Sequence, residues 1–180
     1  PEIALFDCHS CHHPMSEIRW QTTPATAGLE PGVIRLNDAN FVILLPIAEV
    51  LSPALHERML GRIRTLNRAV MQGSEALDRA ATALAETVDE VDRALDDAGV
   101  DAQTRRRILD GIIDRAARGD YRDYVAAEQA AMAMDLLLIT LDRWEGHEAE
   151  VDAIFASVSD DEAYRPDRFA AAAAELGSAL

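Results

Sequence analysis

Residues 52–73 read SPALHERMLGRIRTLNRAVMQG, and their spacing decides the fold class. Ser52-Pro53 is a helix start: a hydroxyl able to cap, then a proline whose fixed φ and missing N–H suit the first helical position. Leu55, Met59, Ile63, Leu66 and Val70 follow at intervals of three and four residues, which gathers them on one face of an α-helix. Gly73 closes that helix. Ser74 is expected to cap the next, whose apolar stripe is Leu77, Ala81, Leu84, Val88, Val91 and Leu95 and whose other face carries Asp78, Glu86, Asp89 and Glu90. This second helix ends near Gly99.

The same rhythm extends in both directions. Toward the C-terminus, Asp101 begins a helix through Ile108, Ile112 and Ala116, closed by Gly119. Asp120 begins a long apolar helix through Tyr124, Ala127, Ala131, Met134, Leu138 and Leu141. Residues 147–158 add a further turn or two, Ser159-Asp160-Asp161-Glu162 has the form of a capping box, and Pro166 opens a terminal helix. Toward the N-terminus, Asn37 or Asp38 caps a helix through Phe41, Leu44, Leu45 and Ala48, kinked at Pro46. Residues 21–36, with Pro24, Gly28, Pro31 and Gly32, read as an irregular segment of a length that is uncommon unless it wraps something. No stretch alternates as a strand does. The expectation is an all-α fold: a helical bundle of four to five principal helices over residues 37–180, up-and-down because the connections are short, with an irregular arm over residues 1–36.

Composition agrees and adds limits. The chain has 180 residues, 49% hydrophobic but only 5% aromatic, which suits closely packed helices. Asp and Glu number 32 against 17 basic residues, all of them Arg, for a net charge of −15. Such a surface repels nucleic acid and anionic membrane and steers encounters toward basic partners. The longest apolar runs, Phe41 to Ala48 and Ala130 to Met134, are too short to span a bilayer.

The arm holds the chain's only two cysteines, in Cys8-His9-Ser10-Cys11-His12. The pattern C-x-x-C-H is that of c-type haem attachment: each thiol forms a thioether, and the following His ligates the iron. Other chemistries fit less well. Zinc could draw on Cys8, Cys11 and two of His9, His12 and His13, yet structural zinc normally uses a second ligand pair beyond a longer spacer, and His56 and His147 stand alone. A redox-active C-x-x-C normally opens a helix in a β-α-β context. A plain disulfide between the two is a further option.

On these residues the segment resembles the c-type cytochromes, and the doubled Cys11-His12-His13 is similar to the C-x-x-C-H-H of small multihaem cytochromes. The resemblance covers about six residues. It implies one haem c per chain, held by Cys8 and Cys11 with His12 as the proximal iron ligand. In the multihaem likeness His13 would ligate a neighbouring haem, and the chain would share haem ligands within a homo- or hetero-oligomer. The resemblance also implies a periplasmic or otherwise exported protein, since bacteria attach haem c outside the cytoplasm.

For the sixth iron position His12's neighbour His13 is excluded by geometry and Met15 is badly placed. His56 ranks first as the distal ligand, one helical turn before Met59 on a shared face. Met132 and Met134 lie in an Ala-rich helix and read as packing. The layout departs from the small cytochromes, which carry a Met-bearing loop, and from the four-helix cytochromes, whose motif lies near the C-terminus. No H-E-x-x-H, di-iron Glu-x-x-His pattern or phosphate-cradling glycine loop is found. The expected role is single-electron transfer to redox partners with basic docking surfaces rather than catalysis. A zinc-binding helical interaction module and a haem enzyme with an open sixth position are the alternatives.

Overall fold

The computed structural model describes Phe6, residues 22–30 and residues 33–180. Its helices are α1 (Ala39–Val42), α2 (Leu44–Leu51), α3 (Pro53–Ala69), α4 (Ser74–Ala98), α5 (Ala102–Ala117), α6 (Tyr124–Thr140), α7 (Glu148–Ser157) and α8 (Pro166–Ala179), with a 3-10 turn at Val70–Gln72. Among the described residues there is no strand, only an antiparallel bridge between Phe6 and Leu36. The fold is all-α. The chain divides into two compact units, Pro1–Gly99 and Val100–Leu180. Most of the arm expected over residues 1–36 lies outside the described residues.

In the first unit, Pro46 breaks the opening helical stretch where its chemistry requires. Proline has no N–H to give the Val42 carbonyl four residues back, and regular helix is interrupted at Ile43 between α1 and α2. Pro53 occupies the first turn of α3 as expected, but the Ser52 hydroxyl makes no capping bond. The Ser52 backbone is extended, and its carbonyl accepts from the Leu55 and His56 N–H groups, both at 3.0 Å. Leu55, Met59, Ile63 and Leu66 are buried as the spacing predicts. α3 packs on α2 and α4. Ala48, Leu55 and Val91 form a small apolar cluster, joined by Ile47, Leu51 and Ala94.

The buried face of α4 is Ala80, Leu84, Thr87 and Val91, while Ala81 is exposed. The stripe is thus rotated slightly from the one read through Ala81, and Thr87 fits it by giving its hydroxyl to the Ala83 carbonyl at 3.1 Å. Ser74 does not cap α4. That place belongs to Gly73, whose φ of 102° a side chain would resist.

In the second unit, Asp101 caps α5 as expected: its carboxylate accepts from the Thr104 N–H at 2.7 Å. That bond, above all, holds the Asp101 carboxyl below its ordinary pKa. α6 starts at Tyr124, later than the expected Asp120, because Asp123 is the residue that caps it, accepting from the Ala126 N–H at 2.8 Å. Asp120 instead faces Arg118 at 3.6 Å and Arg115 at 3.9 Å. The capping-box pattern is likewise used differently. Asp160 accepts from the Glu162 and Ala163 N–H groups at 3.0 and 3.3 Å, closing a turn ahead of α8, which begins at Pro166.

α5 packs on α6 and α8, and α7 on α6 and α8. The core between them is aromatic and close. Tyr121 meets Phe169 edge-on with ring centres 6.4 Å apart, and Tyr124 meets Tyr164 likewise at 6.0 Å. The buried Tyr164 hydroxyl donates to the Tyr121 carbonyl at 2.7 Å. Burial pushes the Tyr121 phenol well above its ordinary pKa. Gly177 of α8 lies so near α5 that a Cβ there would come within 2.8 Å of Ile113 Cγ2.

Candidate functional site

Cys8, Cys11, His12 and His13 lie outside the described residues. What is described is the framework on either side of them. Phe6, two residues before Cys8, pairs with Leu36 just ahead of α1. After the motif, residues 22–30 are seated on α3 by side chains of that helix. The Arg64 Nε donates to the Pro24 carbonyl at 2.7 Å, and an Arg68 guanidinium N–H donates to the Ala27 carbonyl at 3.4 Å.

Within this segment Thr23 and Thr26 close a tight turn: the Thr26 N–H donates to the Thr23 carbonyl at 3.1 Å and the Thr23 N–H to Thr26 Oγ1 at 2.8 Å. Ala25 and Thr26 are buried. The φ of Gly28 is 87°, and Arg68 passes 3.5 Å from where its Cβ would be. The described part of this irregular segment thus lies against α3.

A buried polar tie lies at the same end. Asn67 Nδ2 donates to Asp38 Oδ2 at 2.7 Å, joining α3 to the residue that precedes α1. Sequence reasoning missed this pair, although a signal was present. Asn67 falls four residues after Ile63, on the apolar face, where a polar group requires a partner.

His56 sits in the first turn of α3 with its side chain 15% exposed, and its Nδ1 is 3.7 Å from Glu57 Oε1. Met59, one turn on, is fully buried core, as is Met134, whereas Met132 is exposed. His147 is a brace. One ring nitrogen lies 2.9 Å from the Arg143 carbonyl and the other 3.3 Å from the Ala179 carbonyl, linking the α6–α7 turn to the end of α8. Among the described residues no group of three or more His, Cys, Asp or Glu side chains is placed to hold a metal. No described helix is long and apolar enough to cross a membrane. No family model, curated protein or solved structure matches the chain.

Proposed function

We propose that the chain is a c-type cytochrome in which Cys8 and Cys11 hold one haem by thioether bonds and His12 ligates its iron. The observation that carries this reading is the sequence itself: both cysteines of the chain fall in C-x-x-C-H, the donor set that haem attachment uses. Two described features support it. Phe6, two residues before Cys8, is tied to Leu36, and residues 22–30 are tied to α3, so the described residues on both sides of the motif belong to the first unit. His56 belongs to that unit, with an imidazole mostly shielded from solvent, which suits a distal ligand.

When bound, the haem supplies one-electron redox chemistry, and the protein's part is ligand identity, shielding and local charge. His12 and His56 together would give bis-imidazole ligation and a low potential. His13 is left to ligate a haem of another subunit in an oligomer. The helices serve as the mount, with α3, α4, α5, α6 and α8 its principal members. The acidic surface selects redox partners with basic docking faces, and the protein works in the periplasm or another exported location.

The test is spectroscopic. Matured in a cell that attaches haem c, the wild-type chain shows a sharp reduced α-band that Cys8→Ala with Cys11→Ala abolishes. His56→Ala converts a low-spin spectrum indifferent to carbon monoxide into one that responds to it. A response already present in the wild type would indicate an open sixth position and reassign His56. Stoichiometric chelatable zinc in place of iron would overturn the proposal and leave a zinc-binding interaction module.

A further inference from the structure

We propose that the exposed face of α6, with the pocket at its C-terminal end, docks an amphipathic helical segment of a basic partner protein. Within α6 only Glu128 and Asp135 are charged, and a helix apolar on every side is expected to be covered on every side. Met132, Leu136 and Ile139 are nevertheless 44, 61 and 52% exposed. Their spacing of four and then three residues makes them one stripe. Exposed apolar residues scattered singly need no explanation, but a stripe that leads into a pocket does.

The pocket, about 550 Å³, is lined by Ile139, Asp142, Trp144 and Glu145. Its shape follows from how α6 ends. The Arg143 N–H donates to the Leu138 carbonyl at 2.9 Å and the Asp142 N–H to the Ile139 carbonyl at 3.1 Å, which turns the chain back on itself. Asp142 takes the left-handed conformation this turn requires, φ 53°, where glycine is usual. Trp144 Nε1 donates to Asp135 Oδ1 at 2.7 Å, which fixes the indole plane. An oriented indole beside two carboxylates and an aliphatic wall is a receptor for an organic cation, with Arg the protein side chain best suited to it.

The charges choose the occupant. Asp142 and Glu145 line the pocket, and Glu128 and Asp135 flank the stripe on a molecule of net charge −15. A second copy would set these carboxylates against their like, and an anionic lipid surface would be repelled. A helix carrying apolar residues at i, i+4 and i+7 and an Arg one turn beyond matches both stripe and pocket. A contact confined to three stripe residues and the pocket is too small for a stable complex, so the association is expected to be transient, with Kd of about 10–100 μM. It lies wholly in the second unit and does not depend on the haem reading, and its test uses no haem signal.

The probe is a synthetic helical peptide with Leu at i, i+4 and i+7 and Arg at i+11, titrated into the full chain. The chain carries Trp20→Phe so that Trp144, the other of its two tryptophans, is the only indole. A saturable change in Trp144 fluorescence is expected, weakened about fivefold or more when the peptide's Arg becomes Gln or the protein carries Asp142→Asn with Glu145→Gln. Leu136→Asp, on the exposed face, removes binding without changing the helical circular dichroism. Three results would overturn the proposal: no saturation up to roughly millimolar peptide, equal binding of the Arg and Gln peptides, or a concentration-dependent dimer in sedimentation that Leu136→Asp dissolves.

Discussion

The two units solve the same packing problem by different means. In the first, polar groups fix the unusual part: the buried Asn67–Asp38 bond and the Arg64 and Arg68 bonds to backbone carbonyls hold a non-helical segment on α3. In the second, shape does the fixing: four aromatic rings, a tyrosine hydroxyl on a backbone carbonyl, and a glycine that lets α8 approach Ile113. Hydrogen bonds specify where an irregular chain lies, because they pair particular atoms. Close apolar packing specifies how near regular helices come, because it pairs surfaces.

The contrast can be broken most forcefully in the second unit. Phe169→Ala removes a fully buried ring between Tyr121 and Tyr164 and is expected to cost about 3–5 kcal/mol. Denaturant unfolding with hydrogen exchange should place the loss in α5 to α8 and leave α3 protected. Asn67→Ala is the counterpart in the first unit. It withdraws a donor from the buried Asp38 carboxylate, a loss of about 1.5–3 kcal/mol by the same unfolding measurement.

A smaller and more pointed effect is expected from Gly177→Ala. The added methyl meets a β-branched side chain that cannot swing away, while alanine's helix propensity returns up to ~1 kcal/mol, so the net destabilisation is about 1 kcal/mol. In a double-mutant cycle with Ile113→Ala the two costs should fall short of additivity; strict additivity would show that the helices do not approach closely there. The smallest effect is a pH dependence at the start of α5. The Asp101 carboxyl is held below its ordinary pKa by its capping bonds. Its contribution is therefore complete above the ordinary carboxylate range and lost as pH falls through the lowered value. Asp101→Asn keeps an acceptor for the cap and should flatten the low-pH loss of protection at the Thr104 amide.

Much of this architecture was legible from residue spacing alone. The apolar faces of α3 and α5 and the helix starts at Pro53, Asp101 and Pro166 follow from local chemistry that tertiary contacts do not override. The misplacements share one cause. Ser52, Ser74 and Asp120 have the right side chains for caps, but Ser52 stands at the start of α3 without bonding through its hydroxyl, Gly73 takes the place ahead of α4 with no side-chain cap, and Asp123 rather than Asp120 caps α6. Side-chain type tells what a cap can be, not which of several candidates the chain will use. The Asn67–Asp38 pair was hidden because its members are separated by 29 positions in sequence. For the proposed site, sequence supplies the motif and offers the imidazole of His56 as a candidate, while the anchoring of residues 22–30 by Arg64 and Arg68 was visible only in three dimensions.

The intact mass of the chain purified from a cell that matures c-type cytochromes tests the central claim most directly. A covalent gain of one haem, retained under denaturation and lost when Cys8 and Cys11 are both replaced by Ala, is the predicted result. A mass equal to that of the bare polypeptide, with both thiols alkylatable or joined to each other, would contradict it.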